Sequence, residues 1–301
     1  MRTRQSLLAS AICLAVIFAG VGCRRSAPPS PKAPAGPSKW TLDTIGAAEG
    51  LKTPESVLAD PNAGVAYVAN VEITTQGPWG DDGKGFISRL KPDGKLDKLR
   101  WRDSAPEAPL NAPKGMCLLR GVLYVADNTR VMSFSLADGK AARIDIPGAR
   151  RLNDMASDGK FAYVSDTGAG KVHRLEDKPV ALKAPQGVNG ITFHKARMFA
   201  VSWSEHDVYE LDPTGKADPK PFGLAKRFRS LDGIEVLDDG TFIVSDFTAG
   251  EVCAIRPDRK TVMTLRRFRS PADIGLDRKR MLLYVPEFEA DRVVVLKLKR
   301  K

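Results

Sequence analysis

Short runs in which apolar and polar residues alternate recur along this chain at a spacing of ~40 residues, each ~10 residues after a tight turn. The runs are Tyr67-Val68-Ala69-Asn70, Tyr124-Val125-Ala126-Asp127, Tyr163-Val164-Ser165-Asp166, Ala200-Val201-Ser202-Trp203, Ile243-Val244-Ser245-Asp246 and Tyr284-Val285-Pro286-Glu287. β-Branched and aromatic residues fill them, and helical periodicity is nearly absent, so strands are expected throughout. Several strands per unit at this period predict propeller blades. The fold class expected is all-β, a six-bladed β-propeller.

Blade one opens at Glu55 and carries an insertion, Val71 to Gly85, before the hairpin Phe86–Leu90 with its turn Pro92-Asp93-Gly94-Lys95. Blades two to five start at Pro113, Leu152, Val188 and Leu231. Blade six starts at Pro271 and runs out after its third strand at Leu298. The alternating segment Trp40–Ile45 is the candidate for the missing outer strand; with it the last blade is completed and no long edge stays unpaired.

Residues 1–22 read as a signal peptide of lipoprotein type. Arg2 and Arg4 precede an apolar stretch, Leu7 to Gly20, too short to span a membrane. Gly20-Val21-Gly22-Cys23 resembles a bacterial lipobox with Gly20 in place of the usual aliphatic residue, which makes Cys23 the expected lipidation site. Residues 23–39 then form a Pro-rich tether that cannot bury enough surface to fold. Residues 40–298 form the propeller and 299–301 a basic tail. An extracytoplasmic domain, anchored to a membrane of the cell envelope through Cys23, is the expectation. Cys117 and Cys253 lie in apolar strands of distant blades and are expected as buried free thiols. The net charge of +11 is spread over turns without aromatic interleaving or a recognition helix, so no nucleic-acid partner is expected.

The innermost strand of each blade lines the central channel, so residues at the six strand starts converge on one mouth. One position reads Glu55, Lys114, Asn153, Asn189, Asp232, Ala272; the next reads Ser56, Gly115, Asp154, Gly190, Gly233, Asp273. Glycine beside a polar residue lets neighbouring backbone pass closely. Glu55, Asn189 and Asp232 offer two charges and one neutral oxygen to a hard divalent cation, Ca²⁺ first, with Mg²⁺, Mn²⁺ or Zn²⁺ as alternatives. Lys114 and Asp273 are expected at the same mouth, available to substrate. Lys114 is also the basic partner that would let the two carboxylates coexist without a cation. His173, His194 and His206 lack metal-ligand spacing and read as surface or packing residues. The insertion, with Trp79, Asp81 and Asp82, reads as a solvated hairpin loop in preference to a lid.

Leu152-Asn153-Asp154-Met155, Val188-Asn189-Gly190-Ile191 and Leu231-Asp232-Gly233-Ile234 stand in successive blades. They resemble the Asn-Asp, Asn-Gly and Asp-Gly motifs of the gluconolactonase, regucalcin (senescence marker protein) and luciferin-regenerating-enzyme family, in blade order over residues 54–298. The resemblance implies a divalent metal held by Glu55, Asn189 and Asp232, with Asn153 contacting substrate or metal-bound water. The family's Glu-Gly-Pro motif is replaced here by Pro54-Glu55-Ser56. The expected chemistry is hydrolysis of a lactone or other cyclic ester, with Asp232 as proton acceptor. The alternative is a non-catalytic scaffold like NHL-repeat propellers, whose strand-start polar residues cap backbone groups and which binds a protein or glycan at the cell surface.

Overall fold

The computed structural model describes residues 39–301; the signal segment, Cys23 and most of the Pro-rich tether lie outside the described residues. The described chain forms six four-stranded antiparallel sheets, one per blade. The innermost strands are Pro54–Asp60, Pro113–Leu119, Leu152–Ser157, Val188–His194, Leu231–Val236 and Gly275–Asp277. The molecule is a six-bladed β-propeller.

The ring closes as the sequence pattern implies. Trp40–Ala48 pairs antiparallel with Arg292–Arg300, setting Leu42 opposite Leu298, and becomes the outer strand of the last blade. That pairing extends the last strand past Leu298 to Arg300, so two of the three residues expected in a basic tail belong to the sheet.

Strand alternation gives each sheet two apolar faces, and each face is buried against a neighbouring blade. The core is therefore divided into six clusters, one per blade junction. Between the third and fourth blades, Tyr163, Val172 and Leu182 pack on Val188, Ile191 and Met198. Each such side chain contributes about 1.5–3 kcal/mol on burial. Cys117 and Cys253 belong to two of these clusters as free thiols, and burial pushes the Cys253 thiol up to about 12.

A second repeat fixes where the innermost strands begin. The residue ending the second strand of several blades turns its side chain back to hold the turn that enters the same blade. Asp127 accepts the amides of Asn111 and Ala112, Asp166 those of Arg150 and Arg151, and Asp246 those of Arg229 and Ser230, all within 3.0 Å. Glu287 accepts from Arg269 and Asn70 from Lys52. Each of the three aspartates satisfies two turn amides that no strand partner reaches, and Glu287 and Asn70 satisfy one each. The strand start is thereby registered to the sheet behind it.

Candidate functional site

The strand starts are not regular β-structure. The pairing of innermost and second strands skips between Pro54 and Ser56, Pro113 and Met116, Leu152 and Met155, Val188 and Ile191, and Leu231 and Ile234. The residues left out of the ladder are Glu55, Lys114-Gly115, Asn153-Asp154, Asn189-Gly190 and Asp232-Gly233. A bulge re-aims the side chains it releases. Here the released residues are the ones the sequence singles out.

Adjacent bulges pack backbone to backbone. A Cβ on Gly190 would stand 2.4 Å from the Asp232 carbonyl oxygen, one on Gly233 2.5 Å from the Ile274 nitrogen, and one on Gly115 2.3 Å from the Asp154 Cα. Only glycine permits that approach.

Glu55, Lys114, Asn153, Asn189 and Asp232 are all buried, between 2 % and 6 % exposed. Four oxygens among them, Glu55 Oε2, Asn153 Oδ1, Asn189 Oδ1 and Asp232 Oδ1, are buried with no hydrogen-bond donor. Buried acceptors are ordinarily satisfied, so four orphans at equivalent positions around one channel need a common cause. Burial pushes the Glu55 carboxyl up to about 7, against the pull of Lys114. It raises Asp232 as well, where the Glu55 and Asp273 charges add to the effect and Lys114 opposes it. Lys114 is lowered by burial while Glu55, Asp127 and Asp232 support its charge. Glu55, Lys114 and Asp232 thus share one electrostatic site.

Asp273 is placed differently from the expectation. Its carboxylate accepts the Ser56 hydroxyl at 2.6 Å, its amide donates to the Glu55 carbonyl at 2.9 Å, and with Asp154 it lines a cavity of about 370 Å³ on the far side of the strand starts. Asp154 is committed to the amides of Met155 and Ile191, both at 2.6 Å, and burial pushes its carboxyl up to about 8. These two acids stitch neighbouring blades one layer below Glu55 and Asp232.

The insertion is tied down at residues 78–81 as a roof over Lys114, while Ile73, Thr75, Gln76 and Lys84 stay exposed. Lys114 Nζ donates to the Pro78 carbonyl at 2.9 Å and sits 4.2 Å from the Trp79 ring centroid. Asn128 donates to the Gly80 carbonyl at 2.8 Å, while Asp81 accepts from Arg130 at 2.9 Å and from Asn111. Arg151, not singled out in the sequence, also lies against Trp79, its guanidinium 5.7 Å from the ring centroid. Its place two residues before Asn153 was the one available signal.

Among the described residues, no three His, Cys, Asp or Glu side chains gather as a metal cage. The orphaned set has two carboxylates and two carboxamides. All four donors are hard oxygens, which suit Ca²⁺, Mg²⁺ or Mn²⁺ better than Zn²⁺. His173 lies 3.6 Å from Asp166 in the third blade, a packing position.

No protein-family model matches the sequence, and no curated protein matches it. Solved structures do resemble the fold. An auxiliary nutrient binding protein from Bacteroides ovatus shares 14 % identity at a TM-score of 0.64, over 87 % of this chain and 77 % of that one. Streptogramin B lyase shares 13 % at 0.61, over 86 % and 98 %. Luciferin-regenerating enzyme shares 14 % at 0.57, over 84 % and 94 %. The chain is thus similar in architecture both to propeller enzymes and to a ligand-binding propeller.

Proposed function

We propose that the protein is a metal-dependent hydrolase of lactones or related cyclic esters, tethered to the cell envelope through Cys23. The observation that carries this reading is the set of four orphaned oxygens, on Glu55, Asn153, Asn189 and Asp232. Glu55, Asn189 and Asp232 would hold the cation. When bound, a divalent cation supplies Lewis acidity toward an ester carbonyl and lowers the pKa of water. Asp232, raised by burial, accepts the proton of the attacking water. Asn153 orients the substrate through its carboxamide, and the roof excludes bulk water from the mouth.

A second reading, a propeller that binds a small molecule without turning it over, rests on Lys114. Its ammonium already sits in the field of Glu55 and Asp232 and supports their charge without a metal.

Calorimetric titration of Ca²⁺ and Mn²⁺ into the metal-stripped protein, beside Asp232→Ala, separates the two. One equivalent bound by the native protein and none by the variant supports the hydrolase, and a lactone screen then follows. Absence of binding to the native protein removes that reading and leaves the ligand-binding one.

A further inference from the structure

The roof bears on which substrate the mouth accepts. Lys114 is 2 % exposed, yet its Nζ makes only two hydrogen bonds, to the Pro78 carbonyl at 2.9 Å and the Ala112 carbonyl at 3.5 Å. An ammonium carries three donors. Arg151 is exposed, and its backbone amide is fixed by Asp166 Oδ1 at 2.9 Å. Both cations lie against the same indole, Trp79, which belongs to the roof. The roof carboxylate Asp81 is committed to Arg130 and Asn111, and Asp82 accepts the Thr74 hydroxyl.

The charge balance follows from these placements. Glu55 and Asp232 bring two negative charges to the mouth, and a divalent cation held by them cancels both. Lys114, which also feels Asp127, and Arg151 then remain as the cations beside an aromatic ring. A neutral sugar lactone offers the two cations only uncharged hydroxyl and carbonyl oxygens. A lactone with a free carboxylate has a charge partner for Lys114, and a flat ring face for Trp79 to cover.

We infer that the site selects an acidic lactone, one carrying a free carboxylate, with Lys114 as its charge partner and Trp79 as the surface against its ring. The inference rests on the hydrolase reading for the lactone, but the anion preference belongs to Lys114, Arg151 and Trp79 themselves.

The test compares glucaro-1,4-lactone with glucono-1,4-lactone, which differ only in a carboxylate at the sixth carbon. Binding is measured calorimetrically in Ca²⁺-containing buffer, and turnover is followed separately. The native protein is expected to bind the acidic lactone about tenfold or more tightly, the scale of one charge-assisted hydrogen bond. In Lys114→Met that preference falls to near unity. Arg151→Gln, at an exposed position where folding is not in question, reduces it in the same direction and covers the case of a misfolded Lys114→Met. Equal affinity for the two lactones, or a preference that survives both substitutions, overturns the inference. Turnover of neither lactone with the preference intact removes the hydrolase reading and leaves the anion selectivity standing.

Discussion

Gly190 runs so close to Asp232 that a Cβ on it would lie 2.4 Å from the Asp232 carbonyl oxygen and 3.0 Å from the Gly233 Cα. Two proposed ligands, Asn189 and Asp232, thus stand on bulges of adjacent blades separated by no side chain. Gly190→Ala has to push the two strands apart. The expected cost is about 1–3 kcal/mol of stability, as for overpacking elsewhere, together with a clear loss of cation affinity. Gly223→Ala is the control: its φ is +82° and nothing lies within 4 Å of the added Cβ. It is expected to cost about 1 kcal/mol through backbone strain alone and to leave cation binding unchanged. Thermal unfolding and calorimetry on both variants check this; equal effects on cation affinity would sever the link between close approach and ligand placement.

Asp246 holds Asp232 from behind. Its carboxylate accepts the amides of Arg229, Ser230 and Ala249 at 2.8–3.1 Å, and Ser230 is two residues from Asp232. Asp246→Ala leaves those amides without an acceptor and is expected to cost about 3 kcal/mol. Asp246→Asn keeps one acceptor oxygen and is expected to fall between that variant and the native protein. Denaturant titration of the series gives the ranking, and a neutral Asp246→Ala would deny the carboxylate its pinning role.

The repeat, the blade boundaries and ring closure were legible because each rests on a local pattern: period-two alternation, turn residues, and an unpaired alternating segment at Trp40. The insertion was also bounded correctly, between the strands ending at Asn70 and beginning at Phe86. What its residues do was not legible. A Gly- and Asp-rich loop looks solvated, and its hold depends on Lys114, Asn128 and Arg130, all brought to it by blade two. Asp273 was misplaced for a related reason. Alternation assumes a regular strand, whereas the bulges release successive residues to different depths, and in the last blade the paired strand begins only at Gly275. The acids ending the second strands passed as strand residues, since nothing local distinguishes an Asp that points at solvent from one that pins a turn.

Glu235 provides a pH test away from the mouth. Burial pushes its carboxyl up to about 7, against the attraction of Arg278, whose Nη2 lies 2.9 Å away; its charge also bears on Asp273, with which it lines the far-side cavity. A carboxyl whose folded pKa exceeds its unfolded value contributes stability below the unfolded pKa and loses it as pH rises through the folded one. The melting temperature of the metal-free protein is therefore expected to fall between pH 5 and pH 8. Glu235→Gln, which stays neutral throughout, should flatten part of that slope. A slope identical to the native one would show that Glu235 ionises freely in the folded protein.

The roof can be loosened without touching the proposed ligands. Asp81 is two-thirds exposed, yet its carboxylate joins the insertion to Arg130 and Asn111 of blade two. Arg130 is buried but keeps Asp127 as a partner at 3.2 Å when Asp81 is lost, and a pair with an exposed member contributes about 0–1 kcal/mol, so Asp81→Ala is expected to leave thermal unfolding nearly unchanged. Locally the balance differs, because the insertion contains no strand and depends on a few side-chain ties to the mouth. Limited proteolysis read by mass spectrometry should therefore show cleavage within residues 71–85 accelerated by about threefold or more, with the six blades resistant as before. Trp79 stays under the hold of Lys114, so a further increase is expected in Asp81→Ala combined with Lys114→Met. If Asp81→Ala alone melts the whole propeller, the roof is part of the cooperative fold and does not open separately from the mouth it covers.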